Sequence, residues 1–284
     1  MSVSKSKVKK VTYTCSMSYD EFVAYYNNCI CMGSINENDT VEIEGLNYKI
    51  KDNKIFLCGS NADELAQYAT SKEIEEDIVV KIKLPDYVNA ISSWAFCANI
   101  FLTEISGQGI EYIGTNCMLG CYRLSKVDFP NLKDIGCGAF KECHALKEIN
   151  LLKCEKIKTY AFKGCHLLQE IKAPVLTECG LEIFSQCYSL NSCYMDSLEY
   201  IHPRTFEECH ALRTLYAPKI IFGVENMLDM INQKTTPYSL LNDTYCISKL
   251  NVGVFVGTFD YFHKSYVNCD LTYSTHITKK ETDK

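Results

Sequence analysis

The sequence lacks the features that mark several large classes of protein. Its 284 residues include one tryptophan, six prolines and six histidines, and acidic residues outnumber basic ones by 35 to 29. A net charge of −6 gives no basic surface of the kind that nucleic-acid-binding proteins need. No apolar run reaches the ~18 residues of a membrane-spanning helix. We therefore expect no nucleic-acid partner and no membrane span.

Signatures of catalysis are also missing. The chain has no G-x-S-x-G, no P-loop, no G-x-G-x-x-G and no H-E-x-x-H, which are the patterns that place a nucleophile, a phosphate or a metal. We expect a protein that is not an enzyme, with no catalytic residue and no cofactor. An active site assembled from residues outside any known motif stays open as an alternative.

Cysteine, in contrast, is abundant, with 17 residues. The number is odd and no C-x-x-C pair occurs. Lysines at positions 5, 7, 9 and 10 are followed by no apolar segment of the kind found in secretion signals. We expect reduced thiols and an intracellular protein, cytoplasmic or nuclear.

A repeat of 22 residues dominates the middle of the chain. One column of large apolar residues, here called the Phe column, recurs at this step without a gap: Phe96, Met118, Phe140, Phe162, Phe184 and Phe206. Six places later stand the leucines Leu102, Leu124, Leu146, Leu168, Leu190 and Leu212. Six such units cover residues 86–217, and a half-unit with Val79, Ile82 and Leu84 precedes them.

The spacing within each unit predicts its shape. Twenty-two residues cannot bury their own apolar side, so the copies must stack into a solenoid with continuous core ladders. The apolar residues of L-x-x-I-x-L alternate as in a strand, and successive strands should pair in parallel. The A-F-x-x-C segment is long enough for one helical or 3₁₀ turn on the other side.

The unit resembles a known family. Its L-x-x-I-x-L core resembles that of leucine-rich repeats, and I-x-x-x-A-F-x-x-C-x-x-L, as in Ile157 to Leu168, is similar to the BspA-like class. The resemblance departs at Met118, Ile183, Cys179 and Cys193. It implies an α/β leucine-rich repeat solenoid with a parallel β-sheet on a concave face and short turns opposite. We place this solenoid at residues 79–231, between an N-terminal cap (1–78) and a C-terminal cap (232–284).

Parallel sheets usually have both faces covered, so the uncovered face of the repeat strands is a candidate binding surface. Strand alternation places two columns of outward side chains on it. We predict a protein partner here. The predicted binding residues are Glu104, Lys126, Asp128, Glu148, Asn150, Glu170, Lys172, Tyr194, Thr214 and Tyr216. Of these, Tyr194 and Tyr216 belong to a residue type enriched in binding hot spots. The alternative is that the charges are merely solvated and the tyrosines only stack.

Two further groups have competing interpretations. Five cysteines three places after the Phe column, here called the cysteine ladder (Cys121, Cys143, Cys165, Cys187 and Cys209), are predicted to be core residues that behave as small hydrophobes. The residues after them are Tyr122, His144, His166, Tyr188 and His210. His144 and His166 should be neighbours, and with Cys137 they suggest a zinc site as a minor alternative to no metal.

A short segment raises one specific partner. Lys126, Val127 and Phe129 match the [RK]-[VI]-x-F motif by which regulators dock on protein phosphatase 1, although Val127 and Phe129 fall in buried columns. Lys219 to Phe222 match it as well. Chance matches produced by the strand consensus are the stronger interpretation.

These observations favour a non-enzymatic scaffold that binds a protein on the concave face, with a regulatory subunit of a signalling enzyme such as protein phosphatase 1 as a specific case. A cell-surface adhesin, a common role of BspA-like proteins, is the alternative and requires export. A poorly covered strand edge or an exposed thiol would favour a homo-oligomer.

Overall fold

The repeats wind into a β-solenoid of about six turns with little helix. The computed structural model describes residues 8–31, 40–52, 54–60, 77–202, 204–222, 249–255 and 270–273. These ranges contain helix α1 (Tyr19–Cys31). Their strands are β1 (Val8–Thr14), β2 (Val41–Ile43), β3 (Leu46–Lys51), β4 (Lys54–Ser60), β5 (Asp77–Lys83), β6 (Val88–Ile91), β7 (Leu102–Ser106), β8 (Tyr112–Ile113), β9 (Lys126–Asp128), β10 (Asp134–Ile135), β11 (Lys156–Ile157), β12 (Glu170–Lys172), β13 (Glu178–Cys179), β14 (Ser192–Tyr194), β15 (Thr214–Phe222), β16 (Lys249–Phe255) and β17 (Asp270–Tyr273). The predicted solenoid is therefore confirmed.

The L-x-x-I-x-L segments form the parallel strands that the sequence predicts, but in two sheets instead of one. The first has the order β1-β5-β7-β9 and the second β12-β14-β15-β16-β17. Between them residues 148–150 form no strand. There the Asn150 side chain accepts a hydrogen bond from the backbone N–H of Leu152, at 3.1 Å. The bond closes the turn that follows this segment, and the two sheets remain separate on either side of it.

A further sheet, which the sequence analysis missed, runs along another side of the solenoid. Its order is β13-β11-β10-β8-β6-β4-β3-β2. The pairs from β4 to β13 are parallel, whereas β2, β3 and β4 form an antiparallel meander. In five of the six repeats a short strand ends five places before the Phe column, at Ile91, Ile113, Ile135, Ile157 and Cys179. Most of these strands have two residues, which is too short for an alternating pattern to reveal them.

The A-F-x-x-C segments are turns without a helix. Within each turn the residue three places after the Phe column donates its N–H back to the Phe-column carbonyl, as Cys165 does to Phe162 at 3.1 Å. Residues two places before and after the Phe column have a positive φ, for example Tyr160 at 61° and Gly164 at 77°. A left-handed residue ends a helical run, so the predicted short turn cannot grow into a helix.

These turns also bond to one another along the stack. The N–H of Phe140 donates to the carbonyl of Ala161 at 2.8 Å, and the N–H of Glu142 to that of Lys163 at 2.8 Å. The pattern recurs from Trp94 to Gln186 with a step of 22 residues. The alternating left-handed residues turn these N–H groups toward the next repeat. Successive repeats are thus joined by backbone bonds on the turn side as well as through the sheets.

The core follows the predicted columns. The Phe-column side chains are at most 3% exposed. Four of them stack ring on ring, with centroids 5.2 Å apart for Phe140 and Phe162 and 5.7 Å apart for Phe162 and Phe184. The leucine column is fully buried. Burial of this continuous apolar ladder is the main stabilising contribution to the fold.

The described N-terminal residues extend both sides of the stack. Helix α1 begins after Ser18, whose hydroxyl accepts the Glu21 N–H at 3.3 Å while Glu21 receives the Ser18 N–H at 2.9 Å, a capping box. The flanking sequences predict a helix at Tyr19 to Tyr26, a β meander at Val41 to Leu57, a helix at residues 62–76 and a strand at Leu250 to Val256. Helix α1 and the meander β2–β4 confirm the first two. Strand β1, which was not predicted, pairs in parallel with β5.

At the other end, β16 confirms the predicted strand, and β17 follows it in the same sheet. The helix expected at residues 62–76 and the aromatic tail from Phe259 to Tyr266 lie outside the described residues. The assignment of residues 1–78 and 232–284 as caps stays a prediction.

Candidate binding surfaces

The two outward columns of the repeat strands, here called the strand face, lie outside the core as predicted. Each three-residue strand of the repeats buries its central residue and turns the other two outward, as in Lys126–Asp128 and Glu170–Lys172. The register places Glu170 beside Ser192 and Thr214, and Lys172 beside Tyr194 and Tyr216. None of the ten predicted binding residues is buried. Within each of the two sheets, the strand face thus presents rows of side chains across neighbouring repeats.

Charges on the strand face are paired at its two ends and unpaired in the middle. Lys81 contacts Glu104, and Lys172 contacts Glu170, which also accepts a 3.3 Å hydrogen bond from Ser192. The bond from Lys172 lowers the pKa of Glu170. Within the described ranges, Lys126, Asp128 and Glu148 enter no ion pair. These three side chains are exposed and available to a partner.

Tyr194 and Tyr216 form the aromatic part of this face. Their ring centroids lie 6.3 Å apart with planes tilted by 40°, and both side chains are half-buried. Neighbouring strands β14 and β15 hold them in register. The two rings therefore form a small apolar surface of fixed geometry beside the polar side chains of the same columns.

The outer face of the further sheet differs, because its charges neutralise one another. Lys133 Nζ lies 2.9 Å from Glu111, and Lys156 Nζ lies 2.7 Å from Glu178. The Glu178 contact raises the pKa of Lys156. Charged side chains satisfied within the chain gain little from a partner, since they must first lose these contacts. On the strand face, in contrast, Lys126, Asp128 and Glu148 have no ion-pair partner among the described residues.

The cysteine ladder is buried, as predicted. Each of its thiols donates to the Phe-column carbonyl of the preceding repeat, at 3.1–3.2 Å. Burial raises the pKa of these thiols, to about 12 for Cys121. In the first repeat Asn99 occupies the position, and its side chain accepts the N–H groups of Phe101 and Leu102. The ladder is structural, since each thiol is buried and bonded to a backbone carbonyl.

One place after this ladder the structure shows a continuous stack of rings, here called the ring ladder: Tyr122, His144, His166, Tyr188 and His210. Its successive ring centroids are 4.9, 4.1, 4.7 and 5.8 Å apart. The predicted contact of His144 with His166 is confirmed. The extension of the stack to five rings was missed, although an aromatic ring at every twenty-second position is visible in the sequence.

The ring ladder provides two of the groups that the zinc alternative needs, but not a complete site. His144 Nε2 lies 2.8 Å from Glu142 Oε2. Burial and neighbouring His144 lower the pKa of His166, against an opposing effect of Glu142. In the described part of the chain no three His, Cys, Asp or Glu side chains are placed to hold a metal ion. Cys137 does not complete such a group.

The phosphatase-docking motif lies in the core. Val127 is 6% exposed and Phe129 is 1% exposed, as their columns predicted. Only Lys126 of the three residues is accessible while the repeat is folded. The side chains of Ile220 to Phe222, in the second match, lie outside the described set.

No described helix has both the length and the apolar character needed to cross a lipid bilayer.

Comparison with known proteins agrees with this architecture. No curated protein matches the chain. A leucine-rich repeat protein of T. pallidum shares 18% identity and a TM-score of 0.51 over 65% of this chain and 84% of its own. A leucine-rich cell surface protein of Faecalibacterium prausnitzii shares 17% identity and a TM-score of 0.51 over 77% and 72%. A leucine-rich repeat protein of Bacteroides ovatus shares 17% identity and a TM-score of 0.50, over 83% of this chain and 71% of its own. At these identities the likeness concerns the fold alone.

A family model extends this likeness to the sequence. The model of the BspA-type leucine-rich repeat region matches six copies, at residues 60–154 and 133–228, which together span more than half of the chain. The matched range contains all six repeats with their Phe column and cysteine ladder. The chain belongs to the BspA-type leucine-rich repeat family.

Proposed function

We propose that this protein is a non-enzymatic scaffold that binds a protein partner on its strand face. The observation that carries the proposal is the arrangement of Tyr194 and Tyr216, which stand side by side on β14 and β15 among outward polar side chains. Tyrosine offers a large contact area at a low cost in side-chain entropy, and it is enriched where interfaces gain their affinity.

Charge distribution supports the same surface. Exposed Lys126, Asp128 and Glu148 lie on the strand face with no ion-pair partner among the described residues. A partner with complementary charges could pair with them without first breaking a contact within this chain. Such pairs act on specificity and on the association rate, whereas the tyrosines supply buried apolar area.

Affinity purification from the native cells, followed by mass spectrometry, tests the proposal. The wild-type protein should bring down one dominant partner, and the Tyr194→Ala/Tyr216→Ala variant should lose most of it. Loss of two hot-spot residues costs about 2 kcal/mol or more each, which is enough to abolish recovery of a micromolar complex.

A matched control is available in two other tyrosines. Tyr112, in β8, and Tyr200 occupy equivalent positions four repeats apart, six places before the Phe column, and Tyr112→Ala/Tyr200→Ala removes the same chemical groups. This control should retain the partner. If the strand-face variant binds as well as the control, the strand face is not the site.

Regulation of protein phosphatase 1 is a finer proposal with little support, because Val127 and Phe129 are buried. If it applies, the phosphatase must be bound through outward residues of the strand face. Its catalytic subunit would then be the dominant partner in the wild-type purification and absent from the Tyr194→Ala/Tyr216→Ala sample.

We also propose an intracellular location, cytoplasmic or nuclear. Support comes from the free thiols of the 14 cysteines whose side chains the structure describes, since proteins of oxidising compartments usually pair them. The surface-adhesin alternative draws on the fold shared with the cell surface protein of F. prausnitzii. Labelling of intact cells with an impermeant amine reagent distinguishes the two: a labelled protein would support the adhesin.

A further inference from the structure

We propose that the ring ladder is the interface of a homodimer in which two copies pack their ladders antiparallel, about a two-fold axis between His144 and His166. This surface is separate from the strand face and serves self-association instead of partner binding.

Exposure of apolar area points to this side of the solenoid. Tyr122 is 48% exposed, Tyr188 is 39% exposed and Leu167, next to His166, is 43% exposed. Ile100 continues the column at its N-terminal end and is 49% exposed. A contiguous stripe of large apolar groups of this kind marks an interaction site.

The orientation of the rings restricts what can bind. His144 and His166 are nearly parallel, with 11° between their planes, and His166 and Tyr188 have 23°. Their faces are covered by one another, so the ladder presents ring edges. A flat sugar or a nucleic-acid base, which needs an open ring face, finds none within the stack. A second set of ring edges and small side chains fits better.

The ladder matches itself when its direction is reversed. An isologous two-fold interface requires one patch to be complementary to itself. Reversal about the centre places His144 against His166 and Tyr122 against Tyr188 of the other copy, while Ile100 meets His210. Every aromatic residue thus faces an aromatic or apolar counterpart of similar size.

The columns beside the ladder show the same complementarity in size and charge. On one side the reversed pairs are Gln186 with Gly120 and Glu208 with Ala98, whereas Gly164 at the centre is already covered by the Glu142 carboxylate of its own chain. On the other side they are Leu167 with Ala145, Arg123 with Ser189, and Phe101 with Ala211. Each pair sets a large side chain against Gly, Ala or Ser. No carboxylate meets a carboxylate and no cation meets a cation, so the antiparallel arrangement avoids the like-charge contacts that oppose self-association.

The experiment measures molecular mass against concentration, by sedimentation equilibrium from about 1 to 100 μM with reductant present to exclude disulfide-linked species. The wild-type protein should approach twice the 32.3 kDa mass of the chain. A mass that stays at one chain throughout overturns the proposal.

Paired charges then test the register. Tyr122→Glu/Tyr188→Glu should raise the dissociation constant of the dimer at least tenfold. In the antiparallel register the glutamate at position 122 of each copy would face the glutamate at position 188 of the other. Tyr122→Lys/Tyr188→Glu should restore dimerisation, because the lysine introduced at position 122 meets the glutamate introduced at position 188 of the other copy only if the ladders are antiparallel. A Lys/Glu variant as weak as the Glu/Glu variant overturns the antiparallel register.

Tyr112→Glu/Tyr200→Glu, six places before the Phe column, is the matched control and should dimerise as the wild type does. Far-UV circular dichroism checks that each variant is folded, which is expected since all four tyrosines are at least partly exposed. If the control loses the dimer as fully as Tyr122→Glu/Tyr188→Glu, the ring ladder is not the interface.

Discussion

Truncation of one ring in the Phe column should show how strongly each repeat depends on its neighbours. Phe162 is fully buried and lies between Phe140, at 5.2 Å, and Phe184, at 5.7 Å between centroids. Replacement of a buried Phe by Ala costs about 3–5 kcal/mol through lost transfer energy and the cavity left behind. This is a large part of the ~5–15 kcal/mol that stabilises a typical domain.

The column offers an internal comparison for the stacking contribution. Within the described residues Phe206 stacks only on Phe184, at 5.9 Å, whereas Phe162 has two ring neighbours. A stacked pair contributes about 0.5–1.5 kcal/mol beyond the area it buries. Phe162→Ala should therefore cost about 1 kcal/mol more than Phe206→Ala. Phe162→Met, the residue that stands at position 118, should cost less than either.

Equilibrium unfolding in urea, followed by far-UV circular dichroism, measures these differences. Leu152→Ala is the control, since its side chain is 54% exposed and its loss should change the free energy of unfolding by less than about 0.5 kcal/mol. A loss below about 1 kcal/mol for Phe162→Ala would contradict the idea that the Phe column holds the stack together. A reduced m-value would show instead that the repeats on either side unfold separately.

Three further changes test other parts of the repeat. Cys165→Ser keeps a donor for the Phe140 carbonyl, which lies 3.2 Å from the thiol in the wild type. It should therefore be more stable in urea unfolding than Cys165→Ala, whose free energy of unfolding should fall by about 1–2 kcal/mol. Equal stability of the two variants would mean that the thiol bond contributes nothing. Gly164→Ala puts a Cβ on a residue with a φ of 77° and 3.1 Å from the Glu142 carboxylate. It should lower the melting temperature, because this strain outweighs the gain of up to about 1 kcal/mol that the same substitution gives at an unstrained position. An unchanged melting temperature would show that the position is not strained. The lowered pKa of His166 means that the unfolded chain takes up its proton at a higher pH than the folded chain does. Stability should therefore fall as pH drops below about 6.5, and His166→Tyr should reduce that fall in thermal melts between about pH 7.5 and 5.5.

The repeat, its core columns and the outward position of the strand-face residues could be predicted because each rests on a period. A column such as Leu102 to Leu212 is readable without any knowledge of tertiary contacts. Strands β5 and β16 were recognisable for the same reason, since their apolar residues alternate.

Features that depend on backbone geometry were not accessible in this way. The left-handed residues two places from the Phe column include Tyr160, Glu142 and Arg204, types that give no sign of a positive φ. The interruption at Glu148 to Asn150 has no sequence signal either, because these residues keep the same alternation of buried and exposed positions as the neighbouring strands. Strands of two residues, such as β10 and β11, are held by register with their neighbours and carry no local signal.

The interruption of the strand-face sheet at residues 148–150 has a mechanical consequence. At this rung the further sheet and the turns still connect the repeats, through Asp134 and Ile135 of β10 and the Glu142 N–H. The strand side contributes no ladder beyond the bond from the Gln169 N–H to the Lys147 carbonyl, at 3.2 Å. Under tension along the solenoid axis, or in transient opening, the stack should part first at this rung and bend open toward the strand face. Amide hydrogens of residues 148–150 should accordingly exchange with solvent faster than those of 126–128 and 170–172. The solenoid would then behave as two stiffer segments joined at a more compliant rung.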